Sequence, residues 1–261
     1  MAVVNILENP SQLQSTEEHQ TSRFFEDFDF VKLLGKGAFG CVCVALKKKE
    51  EKHFTVKCIE FEEENVQLGN REVKVLSGLK HRNIVSYYNA WWEKNPAWEY
   101  FVKKSRNFIY LYIQMELCRE ENLAQWLKTR EPVQLNENQI IREILSAVKY
   151  LHRQKLVHRD LSPNNIFFGF NLSIKVGDFG STKELIVDES FQATNSEGLQ
   201  DPQSKQVSVT GTVPYIAPEL VNSSSYNHKV DVYSLGIILF EIIMGPFKTD
   251  SERSSHIRLL N

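Results

Sequence analysis

Four short segments of this sequence carry carboxylates, an amide, a lysine and glycines in types and spacings that phosphate chemistry can use. His158-Arg159-Asp160-Leu161-Ser162-Pro163-Asn164-Asn165 sets an aspartate and an asparagine five residues apart. Asp178-Phe179-Gly180 adds another carboxylate beside a glycine, 18 residues after Asp160. Moving a phosphoryl group requires hard oxygen ligands for a magnesium ion that bridges phosphate oxygens. It also requires a group that orients or deprotonates the attacking hydroxyl. Asp178 and Asn165 have the chemistry of the ligands, and Asp160 has that of the base. Either short motif can arise by chance, so the reading rests on their order together with the segments upstream.

Gly35-Lys36-Gly37-Ala38-Phe39-Gly40 is a G-x-G-x-x-G run. Dinucleotide-binding folds use the same pattern, but there a helix follows the third glycine. Here Cys41-Val42-Cys43-Val44-Ala45 follows, β-branched and strand-like. The glycines are therefore expected in a hairpin turn whose backbone N–H groups can face a triphosphate, and a dinucleotide-dependent oxidoreductase is set aside. Lys57 stands 17 residues after Gly40 in another strand-like run. It reads either as a solvated edge lysine or as a phosphate-facing cation. Glu72 reads either as a surface helix glutamate or as the partner of Lys57, if its helix packs on the sheet.

The elements that must position these residues change character along the chain. Residues 1–24 are expected to be a disordered lead-in, poor in bulky apolar side chains and rich in Ser, Gln, Glu and Thr over 8–22. Runs 31–34, 42–46, 53–59, 84–92 and 108–115 read as strands. A helix over about 66–79 interrupts them, with Val66, Val73, Leu76 and Leu79 at helical spacing and Gly78 and His81 marking its end. A polar insert follows at 93–107. Beyond Met115 the period becomes helical. Residues 122–128 form a short helix, and Asn136 with Gln139 resembles a capping box opening a long one, with Ile140, Ile144, Val148 and Leu151 on one face. Residues 181–210 read as loop, and 230–244 as a helix apolar on every side. The expected architecture is α+β: a β-rich small lobe at about 25–115 and an α-rich large lobe at about 119–261.

Composition bounds the rest. The 261 residues are 42% hydrophobic and 25% charged, with a net charge of −2. Such a balance gives no field that gathers nucleic acid or anionic membrane, so neither is expected as a partner. Cys41, Cys43, Cys58 and Cys118 match no zinc spacing and read as reduced thiols, which points to a cytoplasmic protein. The Asn171 and Asn222 sequons are short enough to occur by chance. Residues 1–10 lack the basic flank and apolar run of a signal peptide. The apolar stretch 232–244 is too short to span a bilayer and contains Glu241.

Taken together, the glycine run, the strand lysine, the H-R-D-x-x-x-x-N and D-F-G segments and Ala217-Pro218-Glu219 resemble the eukaryotic protein kinase superfamily over roughly residues 25–250. The resemblance implies a two-lobed kinase fold that uses ATP and Mg²⁺. It implies that residues 34–42 cover the nucleotide (Leu34, Gly35, Lys36, Gly37, Ala38, Phe39, Gly40, Cys41 and Val42), with Leu34 and Val42 on the adenine. Lys57 would hold the α- and β-phosphates while paired with Glu72. Met115 would be the gatekeeper, with Glu116 and Cys118 in the hinge. Asp160 would be the catalytic base, Asn165 and Asp178 the metal ligands, and Asp231 the brace of the catalytic loop.

A narrower resemblance lies in residues 71–92, 111–118 and 246–253, which are similar to the kinases of the translation initiation factor 2 α subunit. It implies that α subunit as protein substrate, a serine as acceptor, stress-linked control of translation, a strand-four-to-five insert, and homodimers formed through kinase domains, the small lobe being the expected contact. Three departures stand against the pattern. Ser162 replaces the usual lysine two residues after Asp160, removing a charge that stabilises the transferring phosphate. Thr55 replaces the usual alanine two before Lys57. The sequence also ends soon after the apolar helix, so the large lobe is expected to be truncated. That would leave an exposed apolar face on 232–244, an unpaired, partly buried Glu219 and lower stability. These departures keep a second reading open, an ATP-binding scaffold that regulates a related kinase. In the long segment 178–219, Ser204, Ser208 and Thr210 are candidate phosphorylation sites, with Arg159 as partner.

Overall fold

Alternation in the central strands decides where the first core lies. The computed structural model describes residues 22–37, 40–94, 108–130, 136–184, 212, 214–222, 226–245, 247 and 249–259. The lead-in up to residue 21, the insert at 95–107, Ala38, Phe39, Ser204, Ser208 and Thr210 lie outside them. The chain divides into two compact units, residues 1–80 with 85–120, and residues 81–84 with 121–261.

In the first unit, helix α1 (Arg23–Asp27) leads into β1 (Phe28–Gly37), β2 (Gly40–Lys47) and β3 (Lys52–Glu62). Helix α2 (Val66–Gly78) precedes β4 (Tyr87–Glu93) and β5 (Phe108–Met115). The strands form one antiparallel sheet in the order β1-β2-β3-β5-β4. One face buries Val56 and Cys58 of β3 with Tyr110 and Tyr112 of β5, against Phe24, Phe28 and Trp91. Phe28 stacks on Trp91 at 5.8 Å and Trp91 on Tyr112 at 5.3 Å, and Phe24 of α1 stacks on Tyr112 at 6.0 Å, an aromatic layer that ties α1 to the sheet. All four cysteines are free, and burial pushes the Cys43 and Cys58 thiols well up. The expected strand at 84–92 begins only at Tyr87. Ile84 belongs to the second unit, where it bridges Val176.

Gly40 is the one glycine of the G-x-G-x-x-G run whose backbone space is closed. Its φ is +153°, and a Cβ there would lie 1.9 Å from the Cys58 carbonyl oxygen. Gly40→Ala must therefore part β2 from β3. We expect it to cost about 1–3 kcal/mol, read as a melting temperature lowered by roughly 5 °C. A wild-type melting curve would refute this close packing.

The second unit is helical. Helix α3 (Leu123–Thr129) is opened by Asn122, which forms a full capping box with Gln125. Helix α4 (Glu137–Arg153) buries Ile140, Ile144, Val148 and Leu151, as the periodicity requires. Its expected capping box is half formed. Asn136 accepts the Gln139 N–H, but the Gln139 side chain donates to Glu143 instead of returning to Asn136. Short strands follow: β6 (Leu156–Val157), β7 (Ile166–Phe168), β8 (Ile174–Val176) and β9 (Lys183–Glu184). β9 pairs with β6, so the segment expected to be loop from 181 starts with ladder hydrogen bonds. Helices α5 (Pro218–Asn222), α6 (Lys229–Met244) and α7 (Asp250–Arg258) complete the unit. Much of α6 is buried, including Leu235, Ile238 and Ile242, while Val232, Ile243 and Met244 are exposed, so part of the expected apolar face is uncovered. Glu219 is half-buried, with no partner among the described residues. No helix among the described residues is long and apolar enough to cross a membrane.

Candidate active site

The strand lysine meets the helix glutamate because α2 approaches the sheet at Gly69. A Cβ there would lie 2.6 Å from the Trp92 ring and 3.1 Å from Leu111. Leu111 faces away from the aromatic core, on the side of the sheet where alternation also places Lys57 of β3. Glu72 is three residues along α2 from Gly69 and shares its face. Lys57 Nζ lies 3.5 Å from Glu72 Oε1, with the side chains 23% and 10% exposed. Solvated edge lysine and surface glutamate are thus replaced by a shielded pair. Across the sheet Val42 stands opposite Lys57, and Leu34 sits at the β1 irregularity between Leu33 and Gly35. Gly35, Lys36 and Gly37 pair in β1 with Val42, Cys41 and Gly40 of β2, the expected hairpin. Met115 ends β5 opposite Thr55 and Tyr87. Glu116 then turns its carboxylate onto Ser86, accepting from the N–H at 3.1 Å and the hydroxyl at 2.9 Å. Cys118 is half-buried in the segment beyond.

In the second unit the H-R-D-x-x-x-x-N loop folds on itself. Asn165 Nδ2 donates to the Asp160 carbonyl at 2.8 Å and to Asp160 Oδ2 at 3.2 Å. The Thr212 hydroxyl donates to Asp160 Oδ1 at 3.0 Å, so both carboxylate oxygens are fixed. The loop is held from below by Asp231 of α6, which is fully buried. Asp231 Oδ2 accepts the His158 N–H at 2.9 Å and pairs with His152 Nε2 at 2.8 Å, while Oδ1 accepts the Arg159 N–H at 2.9 Å.

The same loop grips the D-F-G segment. Gly177 donates its N–H to the Asn165 carbonyl at 2.9 Å, and its own carbonyl accepts from His158 Nε2 at 3.0 Å. The Phe179 ring lies 5.1 Å from the His158 ring. Asp178 is left exposed between two anchored neighbours. Arg159 and Asp178 have φ of +66° and +57°, unusual for residues with a Cβ and the kind of strain that active sites retain. Arg159 is also hydrogen-bonded through its side chain. Its guanidinium donates to the Ser181 carbonyl at 2.5 Å and to the Tyr226 hydroxyl at 3.0 Å.

Donor chemistry decides which ion this arrangement suits. Among the described residues there is no cluster of three or more His, Cys, Asp or Glu side chains able to hold a metal alone. The Asn165 amide nitrogen is spent on Asp160, which leaves the amide oxygen as its metal-binding atom; with the exposed Asp178 carboxylate this makes a small set of hard oxygen donors. Magnesium suits such a set, since it is usually held by one or two protein oxygens together with water and substrate phosphates.

Four participants were not singled out from the sequence as parts of the site: Thr212, Tyr215, Glu241 and His152. The clearest available signal was Glu241, the charged residue within the apolar run 232–244, which demands a buried partner. Ser162, expected to open a gap in positive charge, is fully buried with its hydroxyl unpaired.

A five-stranded sheet unit with a lysine–glutamate pair and a helical unit with a braced Asp–Asn loop define the class, a protein kinase domain. The chain belongs to that family, whose model, described as "Protein kinase domain", matches residues 28–260. The chain is similar to the interferon-induced, double-stranded RNA-activated protein kinase of Mus musculus, with 30% identity over 250 residues, 94% of this chain and 45% of that protein. It is similar to eukaryotic translation initiation factor 2-alpha kinase 3 of Bos taurus, with 43% identity over 149 residues, 56% of this chain and 13% of that protein. An Aurora kinase of Eremothecium gossypii is 32% identical over 247 residues, 90% of this chain and 58% of that protein. The chain thus spans less than two thirds of the length of each of these relatives.

Proposed function

We propose that this chain is the catalytic domain of a Ser/Thr protein kinase, transferring the γ-phosphate of ATP to a hydroxyl on the α subunit of translation initiation factor 2. The observation that carries the reading is the double restraint on Asp160, whose two carboxylate oxygens are held by Asn165 and Thr212. A general base must sit where the hydroxyl proton leaves, and a restrained carboxylate needs no reorganisation as it accepts that proton. In this reading Lys57 and the glycine hairpin hold the phosphates. Asn165 and Asp178 hold magnesium, which when bound neutralises charge developing on the phosphate oxygens. Residues 71–92 and 111–118, together with the relatives named for initiation factor 2, support the choice of acceptor. Stress-linked control of translation, a cytoplasmic setting and pairing of two copies through the sheet unit belong to the same proposal.

A second reading, a nucleotide-binding scaffold with little turnover, is favoured by Ser162, which brings no cation and points its hydroxyl into the interior. One assay separates them. The purified chain is incubated with magnesium and labelled ATP beside the α subunit and, separately, a basic protein rich in Ser and Thr. The kinase reading expects label on both, with the α subunit preferred by about tenfold in kcat/KM, which needs only ~1.4 kcal/mol of selective transition-state binding. Equal labelling would remove the specific acceptor. Nucleotide binding without label on either protein would establish the scaffold.

A further inference from the structure

We infer that Arg253, on α7, is a positioning residue for Asp160 and acts on it through Glu241, Tyr215 and Thr212. The proposal rests on the reading of Asp160 as the base, and its starting point is a carboxylate in an unlikely place. Glu241 lies on the apolar helix α6 with 1% of its surface exposed. An ion there is tolerated only when its oxygens are paired. Glu241 Oε2 accepts the Tyr215 hydroxyl at 2.6 Å, and Oε1 accepts from Arg253 Nε. The second arm of Arg253 donates to that same Tyr215 oxygen, which closes a ring of three side chains. Burial and the adjacent Glu241 push the Tyr215 phenol up, so it stays the donor that the ring requires.

Tyr215 is held at its backbone as well. Its carbonyl accepts from Ser234 of α6 at 2.7 Å. Its N–H donates to the Thr212 carbonyl at 2.8 Å, and the Thr212 hydroxyl donates to Asp160 Oδ1 at 3.0 Å. An unbroken series of hydrogen bonds therefore runs from α7 to the carboxylate, all within one unit of the chain. Each link is directional, so a shift of Tyr215 moves the donor that orients Asp160. If the ring served only to pack α7 on α6, Tyr215 would not need its backbone link to Thr212 for that task.

The test uses the full chain, with the initiation factor 2 α subunit as acceptor. Arg253→Ala is expected to lower kcat about tenfold while KM for ATP is unchanged, and Arg253→Lys, which keeps one donor, to recover part of the loss. Adding Arg253→Ala to Thr212→Val should lower kcat no further, because both cut one series of bonds. Amide exchange over 212–217 should quicken in Arg253→Ala and in Tyr215→Phe. Should Arg253→Ala fail to fold, Tyr215→Phe keeps the aromatic side chain and removes only the hydroxyl, and its kcat and exchange take over. Unchanged kcat in a folded variant, multiplying losses in the double variant, or unchanged exchange would each overturn the relay. If the wild-type chain labels no acceptor, the functional reading fails, and the exchange measurement alone decides the relay.

Discussion

Asp160→Asn is expected to lower kcat by about 10²–10⁴, the usual contribution of a positioned general base, while magnesium–nucleotide binding persists. The substitution suits the site unusually well. Asn165 donates to the Asp160 backbone carbonyl, a contact that no side-chain change at position 160 removes. Thr212 donates to Oδ1, which an asparagine can still offer as its amide oxygen. Only the Oδ2 contact with Asn165 turns from attraction to two facing N–H groups. The loop should therefore stay folded and lose the one property an amide cannot supply, acceptance of the proton from the attacking hydroxyl. Calorimetry of nucleotide binding and a melting curve keep chemistry and folding apart. Full turnover in the variant would remove Asp160 from the mechanism. Lost nucleotide binding would show that the variant had disturbed more than the base.

How much of this was legible in the sequence depends on the separation and chemistry of the partners. The residues that bear the chemistry lie in short segments whose types are dictated by what they must do. A lysine, two carboxylates and an amide at fixed spacing point to phosphate and metal before any contact is known. Strand and helix boundaries followed from alternation and caps, with errors where local rules met tertiary ones. Ile84 is β-branched and reads as strand, yet it serves the second unit by bridging Val176. Gln139 stands where a capping box needs it, but the buried Glu143 takes its side chain. Lys183 and Glu184 are polar enough for a loop and are recruited by β6. Least legible were bonds between distant positions. Nothing near Thr212 announces a bond to Asp160, 52 residues earlier. Glu241 announces a partner without saying that it is Arg253, 12 residues on. Composition tells that a buried charge must be paired; only packing chooses with what.

Asp231→Ala is expected to be the most destabilising single change, at about 3–5 kcal/mol, and to abolish transfer although Asp231 is no part of the reacting group. Its carboxylate is fully buried and is the acceptor for two consecutive backbone N–H groups, those of His158 and Arg159, and for His152. Alanine leaves those donors facing a small void that cannot be reached by solvent without opening the loop. Arg159 has a positive φ, so its conformation is one the chain abandons once the bond to Asp231 is gone. A relaxed Arg159 releases the Ser181 carbonyl, and a shifted His158 releases the Gly177 carbonyl, so the D-F-G segment loses its grip together with the catalytic loop. A fall of roughly 6–15 °C in melting temperature should accompany the loss of turnover. Asp231→Asn discriminates between charge and geometry. It keeps one oxygen for one N–H and turns its own N–H₂ toward the other donors, so an intermediate loss assigns the brace to acceptor geometry at both oxygens. A melting curve indistinguishable from wild type in Asp231→Ala would mean that the catalytic loop keeps its shape unaided, and the account of how Asp160 is held would have to rest on Asn165 and Thr212 alone.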